Sequence, residues 1–161
     1  MRVNSSMRQL LESMNVPLER ALAEAVPKRL PALVTVQGCV LFADQAEGCR
    51  HISLGDFPDR TGFECSVNHF HVPYDSTPAA LLQLIVRTAA IRRALAEYAP
   101  DRSFLVIVSI AERECTISFH ECRPGEAWLA DDLEGYKDEA VAVIGVGPTA
   151  DCRARRPPHS P

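Results

Sequence analysis

Residues 75–101, DSTPAALLQLIVRTAAIRRALAEYAPD, constrain the fold more than any other stretch of the chain. Thr77 offers an N-cap oxygen, Pro78 suits the first helical position, where a missing N–H costs nothing, and Pro100 stops the helix from continuing. Between these signals Leu81, Leu84, Ile85, Ala89, Ile91 and Leu95 cover a broad apolar face, as expected of a helix lying on a sheet. The next run, SFLVIVSIA (103–111), is almost continuously apolar, which suits a central strand covered on both sides.

The remaining strands are read from period-2 alternation. LVTVQGCVLF (33–42) reads as one half-buried strand with Val34, Val36, Val40 and Phe42 on one face and Gly38 in phase. A turn, a short strand CRHISL (49–54) and a loop GDFPDRTG lead into a longer strand, FECSVNHFHV (63–72). There Phe63, Cys65 and Val67 share a face, while Phe70 and Val72 fall on the other, a phase flip that predicts a bulge near Asn68 and His69. The ERE tripeptide (112–114) predicts a tight reversal into CTISFHEC (115–122), and EAVAVIGV (139–146) reads as a last buried strand.

At the start, Met7, Leu10, Leu11 and Met14, then Leu18, Ala21, Leu22 and Ala25 recur at helical spacing. Pro17 divides them into two short helices, with Asn15 a candidate cap for the second. The sequence therefore predicts an N-terminal helical segment (1–30), an α+β domain (31–147) and a disordered basic tail (148–161). The domain is an antiparallel or mixed sheet of about five or six strands packed on one long helix.

At 161 residues with 47% hydrophobic and 24% charged content, the chain has the makeup of one globular domain. A net charge of -4 argues against a general nucleic-acid binder. The N-terminus lacks the h-region of a signal peptide and no run is long enough to span a membrane, so a cytoplasmic protein is expected. Six cysteines without a CxxC pair read as free thiols in such a compartment. The strings GxxxxGK[ST], GxGxxG, HExxH and GxSxG are all absent, and no cofactor is called for.

Two enzymatic constellations are possible. His69 and His71, with His120 and Cys122 at the same spacing on a later strand, would make a tetrahedral metal site if the strands were neighbours. A thiol–histidine pair would use Cys122 or Cys65, and Cys122 is the better placed, since burial would raise the Cys65 pKa.

The sharpest local feature is HECRPGEAWLADDLEGYKDEAVAVI (120–144). From Glu121 to Glu139 seven carboxylates against Arg123 and Lys137 leave a local charge of -5, exceeding that of the whole chain. Trp128, Leu129, Leu133 and Tyr136 recur at helical spacing, which suits a short amphipathic turn capping the core with its acids in water. The same makeup suits a hot spot for a basic partner: an aromatic anchor, Trp128, surrounded by Glu126, Asp131, Asp132 and Glu134, with Tyr136 at the rim.

This segment, through Arg123, Gly125, Glu126, Trp128, Leu129, Asp132, Leu133, Glu134 and Tyr136, resembles small bacterial proteins of the immunity type, encoded beside secreted polymorphic or contact-dependent toxins. The resemblance implies a cytosolic, non-enzymatic inhibitor that binds a cognate toxin stoichiometrically, with no catalytic residue to carry over. A homo-oligomeric structural or regulatory protein, possible as a homodimer, is the further alternative.

Overall fold

The computed structural model describes residues 1–112 and 114–148. In chain order it contains β1 (Arg2–Val3), α1 (Ser5–Ser13), α2 (Leu18–Glu24), β2 (Leu33–Val36), β3 (Cys39–Phe42) and α3 (Ala43–Gly48). There follow α4 (Arg60–Val67), β4 (His69–Pro73), α5 (Pro78–Tyr98), β5 (Phe104–Ala111), β6 (Glu114–Glu121) and β7 (Ala140–Val146). Short 3-10 turns occupy Leu54–Asp56 and Leu133–Gly135. The architecture is α+β: a five-stranded sheet ordered β1-β7-β5-β6-β4, antiparallel throughout, and a separate two-stranded sheet of β2 and β3.

α5 forms as its sequence signals require, with Thr77 Oγ1 accepting from Ala80 N at 3.2 Å and Pro78 in the first turn. At about 1.5 Å per residue it runs roughly 30 Å along the sheet. Phe104, Val106, Val108 and Ile110 of β5 face it, with Ile117 and Phe119 of β6 and Ala142 and Ile144 of β7 beside them. Met7, Leu11 and Leu22 of α1 and α2 enter the same cluster, so the N-terminal helices pack into the main core. Ile107, Val141 and Val143 point the other way, onto Cys65 and Leu133. β5 is thus central and covered on both faces, as its apolar run predicted.

Several local expectations are corrected. Residues 33–42 are a hairpin and not one strand, turning at Gln37 and Gly38, which have φ of 52° and 80°. Positive φ at both central residues lets a two-residue turn match the twist of the flanking strands. The turn shifts the phase, so Val34 and Val36 pair with Leu41 and Cys39 over a third apolar cluster containing Phe63 and Val67, while Val40 and Phe42 enter the main core.

Residues 49–54 form no strand; they are the turn and loop after α3, running into the 3-10 turn that starts at Leu54. The longer strand expected at 63–72 is α4 followed by β4, and the apparent bulge is the helix end at Asn68. Asp59 caps α4 by accepting from Gly62 N at 2.7 Å. Phe63 and Val67 lie four apart and therefore share a helical face just as they would share a strand face.

Asn15 does not cap α2; with φ of 52° it closes α1. Asn15 N donates to Glu12 O and Val16 N to Leu11 O, the paired bonds of a Schellman end. The expected tail falls on residues 149–161 almost entirely, and these, with Cys152, lie outside the described residues. Among the described residues no helix is long and apolar enough to cross a membrane.

Buried Asn4 ties the N-terminus to the sheet. Its Oδ1 accepts from Met7 N and Val141 N, each at 2.9 Å, and its Nδ2 donates to Glu139 O at 2.7 Å and Tyr136 O at 3.1 Å. Asn4→Ala removes a cap and leaves buried partners unpaired, and is expected to lower the unfolding free energy by about 2–4 kcal/mol in urea denaturation.

Candidate functional site

Glu64 is a carboxylate in the middle of a largely buried helix, itself at 0% exposure. Such a charge persists only if its oxygens are paired and hydrogen-bonded. Arg123 meets it with two parallel bonds, Nη1 to Oε2 at 2.8 Å and Nη2 to Oε1 at 2.7 Å. Val40 N donates to Oε1 at 3.0 Å and Glu121 N to Oε2 at 2.8 Å. One side chain on α4 thereby holds β3, the end of β6 and the start of the acidic segment. The network continues outward: Arg123 Nη2 reaches Glu121 Oε2 at 2.6 Å, and Arg102 bonds both Glu121 oxygens and Gly38 O.

Residues 122–139 cross the second face of the sheet between β6 and β7, and their conformation is fastened at several points. Glu126 Oε2 accepts from Thr61 N at 3.0 Å and Thr61 Oγ1 at 2.9 Å. Glu134 accepts from Ser5 N at the start of α1, at 3.0 and 3.1 Å, where the helix dipole favours a negative charge. Asp132 caps its own 3-10 turn by accepting from Glu134 N, and Arg2 Nη1 donates to Asp131 O. Tyr136 is half-buried and its hydroxyl accepts from Ala130 N at 3.1 Å. Leu133 is buried, Leu129 partly so, and both pack with Cys65 and Ile107.

Trp128 is different. It remains 47% exposed, while the residues around it are anchored. The structure thus divides the six sequence-selected residues: Glu126, Glu134 and Tyr136 hold the segment, and Trp128, Asp131 and Asp132 form its outward side. The helical spacing of the apolar residues is realised only as one 3-10 turn, Leu133–Gly135.

The His and Cys candidates do not converge. His69 and His71 share a face of β4 with ring centroids 5.0 Å apart, but Nδ1 of His69 lies 2.7 Å from Ser66 O and that of His71 2.8 Å from Glu114. His120 is buried on β6 beyond the end of β4, with Nδ1 2.9 Å from Glu121 O. Among the described residues no three His, Cys, Asp or Glu side chains are grouped to hold a metal ion.

The thiol expectation is corrected at Cys122, which is disulfide-bonded and so offers neither a nucleophile nor a thiolate ligand. Burial raises the pKa of the thiols of Cys39, to about 11, and Cys115, to about 12, and Cys65 further still. None of these three is poised as a thiolate near neutral pH.

The sequence reading missed Glu64, Thr61 and Arg102. Asp59 before RTGFECSV was an available N-cap signal, and a Glu set directly between Phe63 and Cys65 was a hint of a buried pair.

The Uncharacterized protein PM0498 family model matches residues 2–153. The chain is 27% identical over 135 residues to Uncharacterized protein PM0498 of Pasteurella multocida (strain Pm70), an alignment covering 78% of this chain and 85% of that one. No solved structure matches.

Two outcomes are expected from the buried charges. Arg123→Met leaves Glu64 unpaired and should cost about 3–5 kcal/mol in urea unfolding, whereas Glu64→Gln combined with Arg123→Met should cost less than the sum of the two single changes. Burial, the main cause, lowers the pKa of His120 below its ordinary 6.5. The unfolded imidazole then takes up a proton that the folded one resists, so stability is full above pH 6.5 and falls as the pH drops through that value towards the folded pKa. His120→Gln should flatten this slope in unfolding curves collected from pH 7.5 to 5.5, a range of about two units around an ordinary histidine.

Proposed function

The chain belongs to the Uncharacterized protein PM0498 family, and we propose that it is a cytoplasmic, non-enzymatic binding protein that holds a basic protein partner through the Trp128 surface. In keeping with the resemblance of residues 123–136 to immunity-type proteins, the partner is a cognate bacterial toxin, neutralised by stoichiometric binding. The observation that carries the reading is the 47% exposure of Trp128 on a segment fastened to α4, to Asn4 and to the start of α1. An aromatic ring held ready on an anchored backbone loses little conformational freedom on binding, which favours affinity. Asp131 and Asp132 beside it add a negative field that speeds the encounter with a basic surface.

The enzymatic alternative is weaker, because the residues it needs are dispersed, disulfide-bonded or raised in pKa by burial. A homodimer burying Trp128 in its own interface is separated from a monomer by light scattering.

Trp128→Ala with Asp131→Lys should leave the fold intact by circular dichroism, since both side chains are exposed and the Asp132 cap of the 3-10 turn is kept. In pull-downs from the native host, wild type should retain one dominant basic partner and the folded variant should lose it, and that partner's toxicity in co-expressing cells should be relieved by wild type alone. Equal retention by both proteins would overturn the assignment of the surface. A retained partner without toxicity would overturn the toxin assignment but leave the binding role standing.

A further inference from the structure

A cleft of about 320 Å³ opens on the α5 side of the fold, bounded by the 29–32 connection, the start of α3, β4 and α5. Its size lies at the lower end of what small-molecule sites enclose. The floor is apolar: Phe70 packs on Phe42 with ring centroids 4.4 Å apart and a 40° tilt, and Ala90 and Ile91 of α5 complete the wall. Phe42 is held from beneath by Phe119, edge-on at 4.8 Å. The floor is therefore continuous with the main core.

The rim carries two guanidinium groups. Arg29 comes from the connection after α2, and Arg87 stands one helical turn before Ile91 on α5. Both are exposed, and among the described residues neither makes a hydrogen bond or an ion pair, although Arg20, Arg50, Arg93, Arg102 and Arg123 each find a carboxylate. Asp44 lines the same cleft without pairing with either. Gln45 is held by donating Nε2 to His69 O. Two unpaired planar cations above an aromatic floor match a ligand with a flat apolar body and an acidic head, because a guanidinium takes up a carboxylate through two parallel bonds.

We propose that this cleft binds a small aromatic carboxylate, its ring against the half-buried Phe70, which buried Phe42 backs from the core, and its acid between Arg29 and Arg87. Asp44 restricts the site to ligands of low negative charge. No residue of the 122–139 segment lines the cleft, so the site is independent of the Trp128 surface and stands or falls separately from it.

The test is titration of the full-length protein with 2-naphthoate, followed by calorimetry and by naphthoate fluorescence. One saturable site is expected. Binding should weaken at least tenfold in the Arg29→Ala, Arg87→Ala double variant and should be unchanged in Trp128→Ala. Phe70→Leu keeps an apolar side chain but removes the ring and should weaken binding several-fold, with a thermal melt confirming that it remains folded. The neutral analogue 2-naphthamide should bind at least tenfold more weakly than the acid. Absence of saturable binding, equal binding of acid and amide, or indifference to the two arginines would each overturn the proposal. Tighter binding of decanoate than of naphthoate would overturn the aromatic assignment, and so would binding of inorganic phosphate alone.

Discussion

Much of the structure depends on a carboxylate with no access to water. Glu64 takes four hydrogen bonds, two from the Arg123 guanidinium and two from backbone amides at Val40 and Glu121. A buried charge pair contributes little net stability compared with an apolar pair of the same shape, but breaking it is severe, because the remaining charge cannot return to water. The pair therefore acts as a register device. α4, the β2–β3 hairpin and the end of β6 can meet only where all four donors reach one carboxylate.

From that point the acidic segment inherits its course. Arg123 fixes where the chain leaves β6, Thr61 receives Glu126 a few residues on, and Asn4 together with Ser5 holds the far end against α1 and β7. The segment covers Ile107, Val141 and Val143, so it is the lid of the smaller core as well as the presenter of Trp128. Burial of Leu133 and exposure of Trp128 are consequences of the same path. The two faces of the sheet also divide the proposed roles: Trp128 is presented over one face, and the Phe42–Phe70 cleft opens towards α5 on the other.

The elements read correctly from sequence are those whose signals do not depend on distant residues. α5 carries its own cap, first-turn proline and apolar face; β5 carries a run apolar on both sides; β6 and β7 alternate or run apolar over seven or eight residues. The misreadings are both local ambiguities. In 60–72 the apolar spacing fits two periods, since positions four apart coincide on a strand and on a helix, and in 33–42 a two-residue turn inverts a strand's phase without changing its composition. The Gln37–Gly38 turn and the Asp59 cap were the local clues that separate the cases.

For the candidate site, the sequence by itself determined that an aromatic residue among carboxylates lies between two strands, because composition and order are set by the chain alone. Tertiary structure decided which of those residues face outward. Glu126, Glu134 and Tyr136 were chemically indistinguishable from surface groups until Thr61, Ser5 and Ala130 arrived as their partners, from positions that for the first two lie more than sixty residues away. The same holds for the cleft, whose walls come from four separated stretches. Local propensity is written in neighbouring residues, whereas burial and pairing are properties of groups that only folding brings within a few ångströms of one another.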